Sequence, residues 1–131
     1  LAALWLGPNE WLVLTPPGRE TTLAGALRAA LGEVFSSVAD VTGGQTVINL
    51  RGPHVRDLLA KGCALDLHPR AFGPGRCAQS LVAKANVTVR QLDDSPSFDL
   101  VVRRSFADYL AIWLQDAAQE YGMEVAADGV A

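Results

Sequence analysis

The sequence predicts an α+β fold in which a mostly antiparallel β-sheet carries helices on one face. Short apolar runs separated by turn residues recur along the chain, which is typical of antiparallel strands. Longer segments carry apolar residues at helical spacing. A hairpin followed by a helix occurs at residues 5–31 and again at residues 87–118. The fold is therefore predicted to contain an internally duplicated hairpin-helix pattern.

The first predicted elements are a hairpin and a helix. Strands are expected at residues 3–6 and 11–15, because a Gly-Pro-Asn turn separates two apolar runs there. A helix is predicted over residues 20–31, where leucines recur every four residues. Gly32 follows at the position where glycine commonly ends a helix.

The middle of the chain predicts two strands, a short helix and a loop. The strands cover residues 34–41 and 45–51, with a Thr-Gly-Gly turn between them. A Gly-Pro pair then opens a short helix that ends at Gly62, since proline suits the first helical position. Residues 63–75 hold two prolines and two glycines, so an irregular loop is expected, anchored by Leu65, Leu67 and Phe72.

Three strands and a helix complete the predicted fold. The strands cover residues 77–83, 87–92 and 98–103, and the helix begins after Ser105 as N-cap, with Asp108 completing a capping box. The buried face of this helix is predicted to contain Phe106, Leu110, Trp113, Leu114 and Ala117. The 131 residues fit a single domain, residues 1–131, whose last part, residues 122–131, is expected to be a frayed tail.

Composition excludes several classes of function. The net charge is −3 and no run of Lys or Arg occurs, so the basic patch typical of a nucleic-acid-binding protein is not expected. The apolar stretches are strand-sized or amphipathic, so no membrane span is expected. No signal peptide is visible, and the expected location is cytoplasmic. Charged residues make up only 19% of the chain, which favours a surface covered by a partner.

No catalytic, cofactor-binding or metal site is predicted. His54 is expected to be a solvated surface residue, whereas His68 could form a catalytic pair with Asp66 or a loop-stabilising hydrogen bond. Cys63 and Cys77 are expected to be reduced thiols, with a disulfide or a metal pair as the alternative. The glycine pairs match neither a P-loop nor a dinucleotide-binding fingerprint.

The candidate interface lies on the sheet face away from the helices. Trp5 could be a core residue or an interface anchor, and tryptophan is enriched at binding hot spots, whereas Trp11 is weighted towards the core. Arg51, Arg76 and Arg103 are expected to surround this interface, because arginine suits planar hydrogen bonding in a buried contact.

Nearly the whole chain, in order, resembles one protein family. The matching segments are residues 4–13 (LWLGPNEWLV), 40–41 (DV), 50–53 (LRGP), 62–72 (GCALDLHPRAF), 74–79 (PGRCAQ), 104–110 (RSFADYL) and 113–114 (WL). Together they resemble the gamma subunits of heterotetrameric sarcosine oxidases. That family is similar in fold to the folate-binding part of the glycine-cleavage aminomethyltransferase, and the LRGP segment resembles that superfamily's LxGP helix start.

The resemblance implies a non-catalytic structural subunit in a complex of alpha, beta, gamma and delta chains. Such a complex oxidises sarcosine to glycine and hydrogen peroxide and passes the one-carbon unit to tetrahydrofolate. FAD, FMN, NAD, zinc and tetrahydrofolate are then expected in the partner subunits, with alpha as the direct partner. Family members begin upstream of Leu1, so an N-terminal piece is expected to be absent.

The alternative is a free-standing folate-binding or one-carbon-transfer domain of the aminomethyltransferase type. Against it, the acidic catalytic segment of that enzyme, a pair of aspartates after a glycine-rich strand turn, has no counterpart near residues 84–86.

Overall fold

The computed structural model describes residues 1–126, which form two compact units, residues 1–43 and 44–126. That the chain acts as a single domain stays a prediction. Of the predicted tail, residues 122–126 have no regular structure, and residues 127–131 lie outside the described part. None of the described helices combines the length and hydropathy needed to cross a bilayer.

The first unit contains the predicted hairpin and helix. Strands β1 (Ala2–Gly7) and β2 (Glu10–Leu14) pair antiparallel, with an irregular register near the turn. Helix α1 (Glu20–Leu31) has the predicted bounds. It ends at Gly32, whose φ of +53° suits glycine and whose N–H donates to the Arg28 carbonyl over 3.1 Å.

The prediction of a strand over residues 34–41 is wrong. This segment has no regular structure, and a 3-10 turn, Thr42–Gly44, follows it. The Arg28 guanidinium donates to the Val38 carbonyl over 2.7 Å. A side chain of α1 therefore occupies a backbone acceptor that a neighbouring strand would bind if this segment were part of a sheet. Local strand propensity could not anticipate this, because a strand also needs a neighbouring strand to pair with.

The second unit is built on a four-stranded antiparallel sheet. Its strand order is β3-β6-β5-β4, comprising β3 (Gln45–Arg51), β4 (Cys77–Val82), β5 (Ala85–Asp93) and β6 (Ser97–Arg103). The β1–β2 hairpin forms a separate two-stranded sheet. The expectation of antiparallel pairing is therefore confirmed, but the six strands lie in two sheets rather than one.

Two helices cover one face of the four-stranded sheet, as predicted. They are α2 (Val55–Ala60) and α3 (Ala107–Ala117). The shared core consists of Leu50, Val55, Leu58, Leu59, Cys63, Leu67, Phe72, Val82, Ala85, Val87, Val89, Phe98, Leu100, Val102, Leu110, Leu114 and Ala118. Because the strand residues in this set alternate with the others along each strand, the core lies between one sheet face and the helices.

The start of α3 differs from the prediction. Ser105 lies inside a 3-10 turn, Arg104–Phe106, and provides no side-chain cap, because α3 begins only at Ala107. Phe106 is consequently exposed rather than part of the buried helix face. The core contacts of α3 come instead from Leu110 and Leu114, as predicted.

Candidate functional site

On the sheet face opposite α2 and α3, called here the far face, the four strands present side chains away from the core. The ladder registers and the strand alternation place these side chains there. They are Gln45, Val47, Asn49, Arg51, Cys77, Gln79, Leu81, Asn86, Thr88, Arg90, Ser97, Asp99, Val101 and Arg103.

A polar row crosses the centre of the far face. Asn49, Asp99 and Arg90 are register neighbours on three adjacent strands. The Asn49 amide donates to the Asp99 carboxylate over 2.8 Å, and the Arg90 guanidinium lies 3.9 Å from that carboxylate. The Asp99 side chain is only 14% exposed, so the pairing with Arg90 balances a half-buried charge. The row is a polar network that links three adjacent strands.

The four predicted interface residues do not meet on one sheet face. Arg51 and Arg103 both lie on the far face, at opposite ends because their strands are antiparallel. Arg76 belongs to the loop before β4 and donates to the Ala71 carbonyl over 3.2 Å. Trp5 lies in the two-stranded sheet. The predicted interface around Trp5 stays a prediction, with Trp5 in one sheet and Arg51 and Arg103 in the other.

The hairpin carries two tryptophans directly opposite each other. Trp5 and Trp11 are register partners on β1 and β2, and their exposed fractions are 59% and 60%. Cross-strand partners share a face, so the two indoles form one aromatic patch. Trp11 is exposed, so the prediction that favoured a core position for it is wrong.

The His68 geometry matches the loop-stabilising alternative. The His68 N–H donates to the Asp66 carboxylate over 3.1 Å, and its Nδ1 accepts the Arg70 N–H over 3.2 Å. The Arg70 guanidinium lies 3.5 Å from Asp66. The His68 N–H holds the pKa of Asp66 below its ordinary value, with a smaller contribution from Arg70. This triad closes the turn, and its imidazole nitrogen Nδ1 is already occupied as an acceptor.

His54 belongs to a contact cluster between the two helices of the second unit. Its ring stacks on Tyr121 with centroids 4.7 Å apart, and its Nδ1 lies 3.6 Å from Asp57. Lys61 sits 4.8 Å from the centre of the Tyr121 ring, donates to the Ala117 carbonyl and pairs with Glu120. This cluster joins both ends of α2 to the end of α3.

The cysteines and acidic residues offer no metal site in the described part. Both cysteines are thiols, Cys63 buried and Cys77 half-buried. Cys63 forms an isolated backbone β-bridge with Val82, the last residue of β4, whereas Cys77 is the first residue of that strand. A strand of this length separates them by about 17 Å, far beyond disulfide reach. Within residues 1–126, no three of His, Cys, Asp and Glu cluster closely enough to hold a metal ion.

The irregular loop, residues 63–75, is organised by a residue that the sequence did not single out. The Arg56 guanidinium donates to the Leu67 carbonyl, lies 3.5 Å from the Phe72 carbonyl and stands 5.2 Å from the centre of the Phe98 ring. Leu67 and Phe72 are buried, which confirms them as loop anchors. The signal that could have identified Arg56 is an arginine beside the apolar stripe of a short helix.

Comparison with protein families gives a match over most of the chain. The model of the sarcosine oxidase gamma subunit family matches residues 1–120. Relatives include a sarcosine oxidase subunit gamma from Corynebacterium sp. (strain P-1), 38% identical over 94% of this chain and 59% of the relative. Another, from Arthrobacter sp., is 38% identical over 92% of this chain and 58% of its own length. The chain thus spans less than two thirds of the length of these relatives.

A solved structure is also similar to this chain. A heterotetrameric sarcosine oxidase from Corynebacterium sp. U-96, in complex with pyrrole 2-carboxylate, contains a chain that superposes with a TM-score of 0.81 and 35% sequence identity. The superposition covers 95% of the present chain and 63% of that chain. The similarity therefore extends over both compact units.

Proposed function

The chain belongs to the sarcosine oxidase gamma subunit family, and we propose that it is a non-catalytic assembly subunit of a heterotetrameric sarcosine oxidase. The observation that carries the proposal is the family match over residues 1–120. The alternative of a free-standing folate-binding domain is not favoured by the relatives.

The proposed complex would oxidise sarcosine to glycine, form hydrogen peroxide and transfer the one-carbon unit to tetrahydrofolate. FAD, FMN, NAD, zinc and tetrahydrofolate would be bound by the partner subunits. The alpha subunit is the proposed direct partner, with beta and delta completing the assembly, in the cytoplasm. The similarity to one chain of a heterotetrameric oxidase supports this arrangement.

We propose that the fold is related to that of the folate-binding part of the aminomethyltransferase, with an internally duplicated hairpin-helix pattern. Its support is the recurrence of hairpin and helix, first as β1–β2–α1 and later as β5–β6–α3. The duplication remains a proposal at the level of this pattern.

We test the non-catalytic role on the isolated chain. The proposal predicts no flavin absorption in the purified protein and no heat of binding when tetrahydrofolate is titrated into it. A yellow preparation with stoichiometric flavin, or saturable folate binding, would contradict the proposal. The same titration into the assembled complex serves as the positive control.

The proposed subunit contact consists of the residues predicted from the sequence: Trp5, which belongs to the aromatic patch with Trp11, and Arg51, Arg76 and Arg103. We expect Trp5→Asp to weaken complex formation, because it places a charge where a buried aromatic contact would form. Size-exclusion chromatography with and without the alpha subunit measures this. Glu10→Gln, an exposed substitution in the same hairpin, is the control. Unchanged complex formation by Trp5→Asp would remove this patch from the interface.

A further inference from the structure

Strand β3 forms one edge of the four-stranded sheet, and its outer side lacks the usual protection of a sheet edge. In the described part of the chain β6 is the only strand that pairs with β3, and their ladder covers all of Gln45–Arg51 without a bulge. Proteins commonly protect such an edge with Lys, Pro or a β-bulge. β3 contains no Lys or Pro, and its only charged residue is Arg51 at its end.

The opposite edge of the sheet, β4, is partly closed. Cys63 forms a backbone bridge with Val82, and the Ala83 N–H donates to the Gly62 carbonyl over 2.9 Å. Of the two edges of this sheet, β3 is consequently the more open to pairing with a further strand.

The hydrogen bonds show which residues of β3 direct their backbone groups outward. The Gly52 N–H donates to the Pro96 carbonyl over 3.2 Å and so continues the β3–β6 ladder by one hydrogen-bonded pair. Because successive residues of a strand alternate in the direction of their N–H and C=O groups, the even-numbered residues of β3 bond to β6. The odd-numbered residues direct these groups away from the sheet, and they are Gln45, Val47, Asn49 and Arg51.

These outward groups are complementary to those of a second copy of β3. When two copies pair antiparallel about Ile48, Val47 of one copy faces Asn49 of the other. In the same register, Gln45 faces Arg51. Every outward N–H and C=O group of both strands then has a partner, as a symmetric contact between identical surfaces requires.

The side chains of β3 also tolerate this register. Ile48 is half-buried and packs on the core, and the pairing would cover its exposed part with Ile48 of the second copy. No like charges face each other, because Arg51 faces Gln45. The next cation in that row is Arg103, the β6 partner of Gln45. It would lie two strand spacings from Arg51, about 10 Å, where salt screens the repulsion.

We propose that two copies of the free subunit pair through β3 and join their four-stranded sheets into one continuous sheet, with a two-fold axis at Ile48. This inference goes beyond the proposed function, because it concerns the subunit before it meets the other chains. A contact between two short strands buries less than the roughly 1,200 Å² of stable complexes, so the dimer is weak. It can therefore dissociate and supply one copy to each oxidase complex.

Sedimentation of the complete free subunit tests the dimer. We expect a dissociation constant in roughly the micromolar range. Val47→Lys places a cation diagonally opposite its copy and near Arg51, so the dissociation constant should rise about tenfold or more at low salt and less at high salt. Leu81→Lys is the matched control and should leave the dissociation constant unchanged. Leu81 lies on the other edge strand, and both side chains are 48% exposed.

A cysteine cross-link tests the register. In the proposed pairing, position 48 of one copy faces position 48 of the other with a Cα separation of about 4.5 Å, which is within disulfide reach. Mild oxidation of Ile48→Cys should therefore produce a covalent dimer, whereas Leu81→Cys should not. The unmodified subunit, treated in the same way, shows the background from Cys63 and Cys77. The cross-link decides the question if Val47→Lys lowers the melting temperature of the monomer.

Four results would overturn the pairing through β3. They are a free subunit that stays monomeric up to about 500 µM, far above the expected dissociation constant, equal dissociation constants for Val47→Lys and Leu81→Lys, and no cross-link in Ile48→Cys. The fourth is protection of the β3 amides from hydrogen exchange only after the other oxidase subunits are added, which would assign this edge to one of them. Each of these results leaves the proposed function intact, because none of them measures assembly of the oxidase.

Discussion

Gly62, two residues after the end of α2, lies against the indole of Trp113 on α3. A Cβ atom at this position would lie 2.5 Å from Cζ2 of Trp113 and 3.1 Å from the Ala83 backbone nitrogen. We therefore expect Gly62→Ala to displace the indole and to lower the free energy of unfolding by about 1 to 3 kcal/mol, as in other overpacked sites. Denaturant unfolding measures this change.

Gly25 provides the matched control. It lies within α1, and a Cβ atom there would have no heavy atom of the surroundings within 4 Å. Gly25→Ala should stabilise the protein by about 0.5 to 1 kcal/mol, because alanine favours the helix. If Gly62→Ala unfolds like the unmodified protein, the indole has room to move and the account of this contact is wrong.

At the residue scale, the sequence predicted the position of Gly62 but not its role. The pattern identified it as the end of a short helix, and α2 does end at Ala60. What the pattern could not show is that Trp113, distant along the chain, packs onto it. The same limit applies to Arg56, whose acceptors lie in a loop that has no periodicity to read.

At the element scale, one surface ion pair between the ends of α2 and α3 depends on protonation. Lys61 donates a hydrogen bond to the Glu120 carboxylate, which holds the pKa of Glu120 below its ordinary value and raises the pKa of Lys61. The stability that Glu120 contributes is thus present above about pH 4 to 5 and is lost as the pH falls further. The Lys61 contribution is lost only above about pH 10.

Glu120→Gln tests this pairing. At pH 7 we expect a slightly lower melting temperature than in the unmodified protein, and a difference that shrinks as the pH falls below about 4. The effect should be small, because the pair is at the surface. Glu124→Gln is the control, since it removes the same charge four residues along. A difference that persists at low pH would show that the ion pair is not its cause.

Elements with a partner already fixed by the chain were the predictable ones. The β1–β2 hairpin, α1 and the strands of the second sheet were found within a few residues of their expected bounds. The strand prediction for residues 34–41 failed because its valines and phenylalanine suit a strand, while Arg28 and the turn at Thr42–Gly44 direct the backbone elsewhere. Strand propensity alone contains no information about a hydrogen bond that a side chain donates to the backbone of the segment.

At the scale of the whole molecule, the sequence predicted the fold class and the helix-covered sheet face. It did not predict that the strands divide between two sheets in separate compact units. The interface expected around Trp5 stays a prediction, with Trp5 in the hairpin sheet and Arg51 and Arg103 in the four-stranded sheet. A local sequence pattern does not show which hairpins join the same sheet.

The central claim is that this chain works as a subunit of a larger oxidase and holds no cofactor itself. Native mass spectrometry of the complex formed with the alpha, beta and delta subunits tests it most directly. We predict a particle with one copy of each of the four chains, from which this chain dissociates without any flavin mass. A particle of the other three subunits that excludes this chain, or a flavin that leaves with it, would contradict the account.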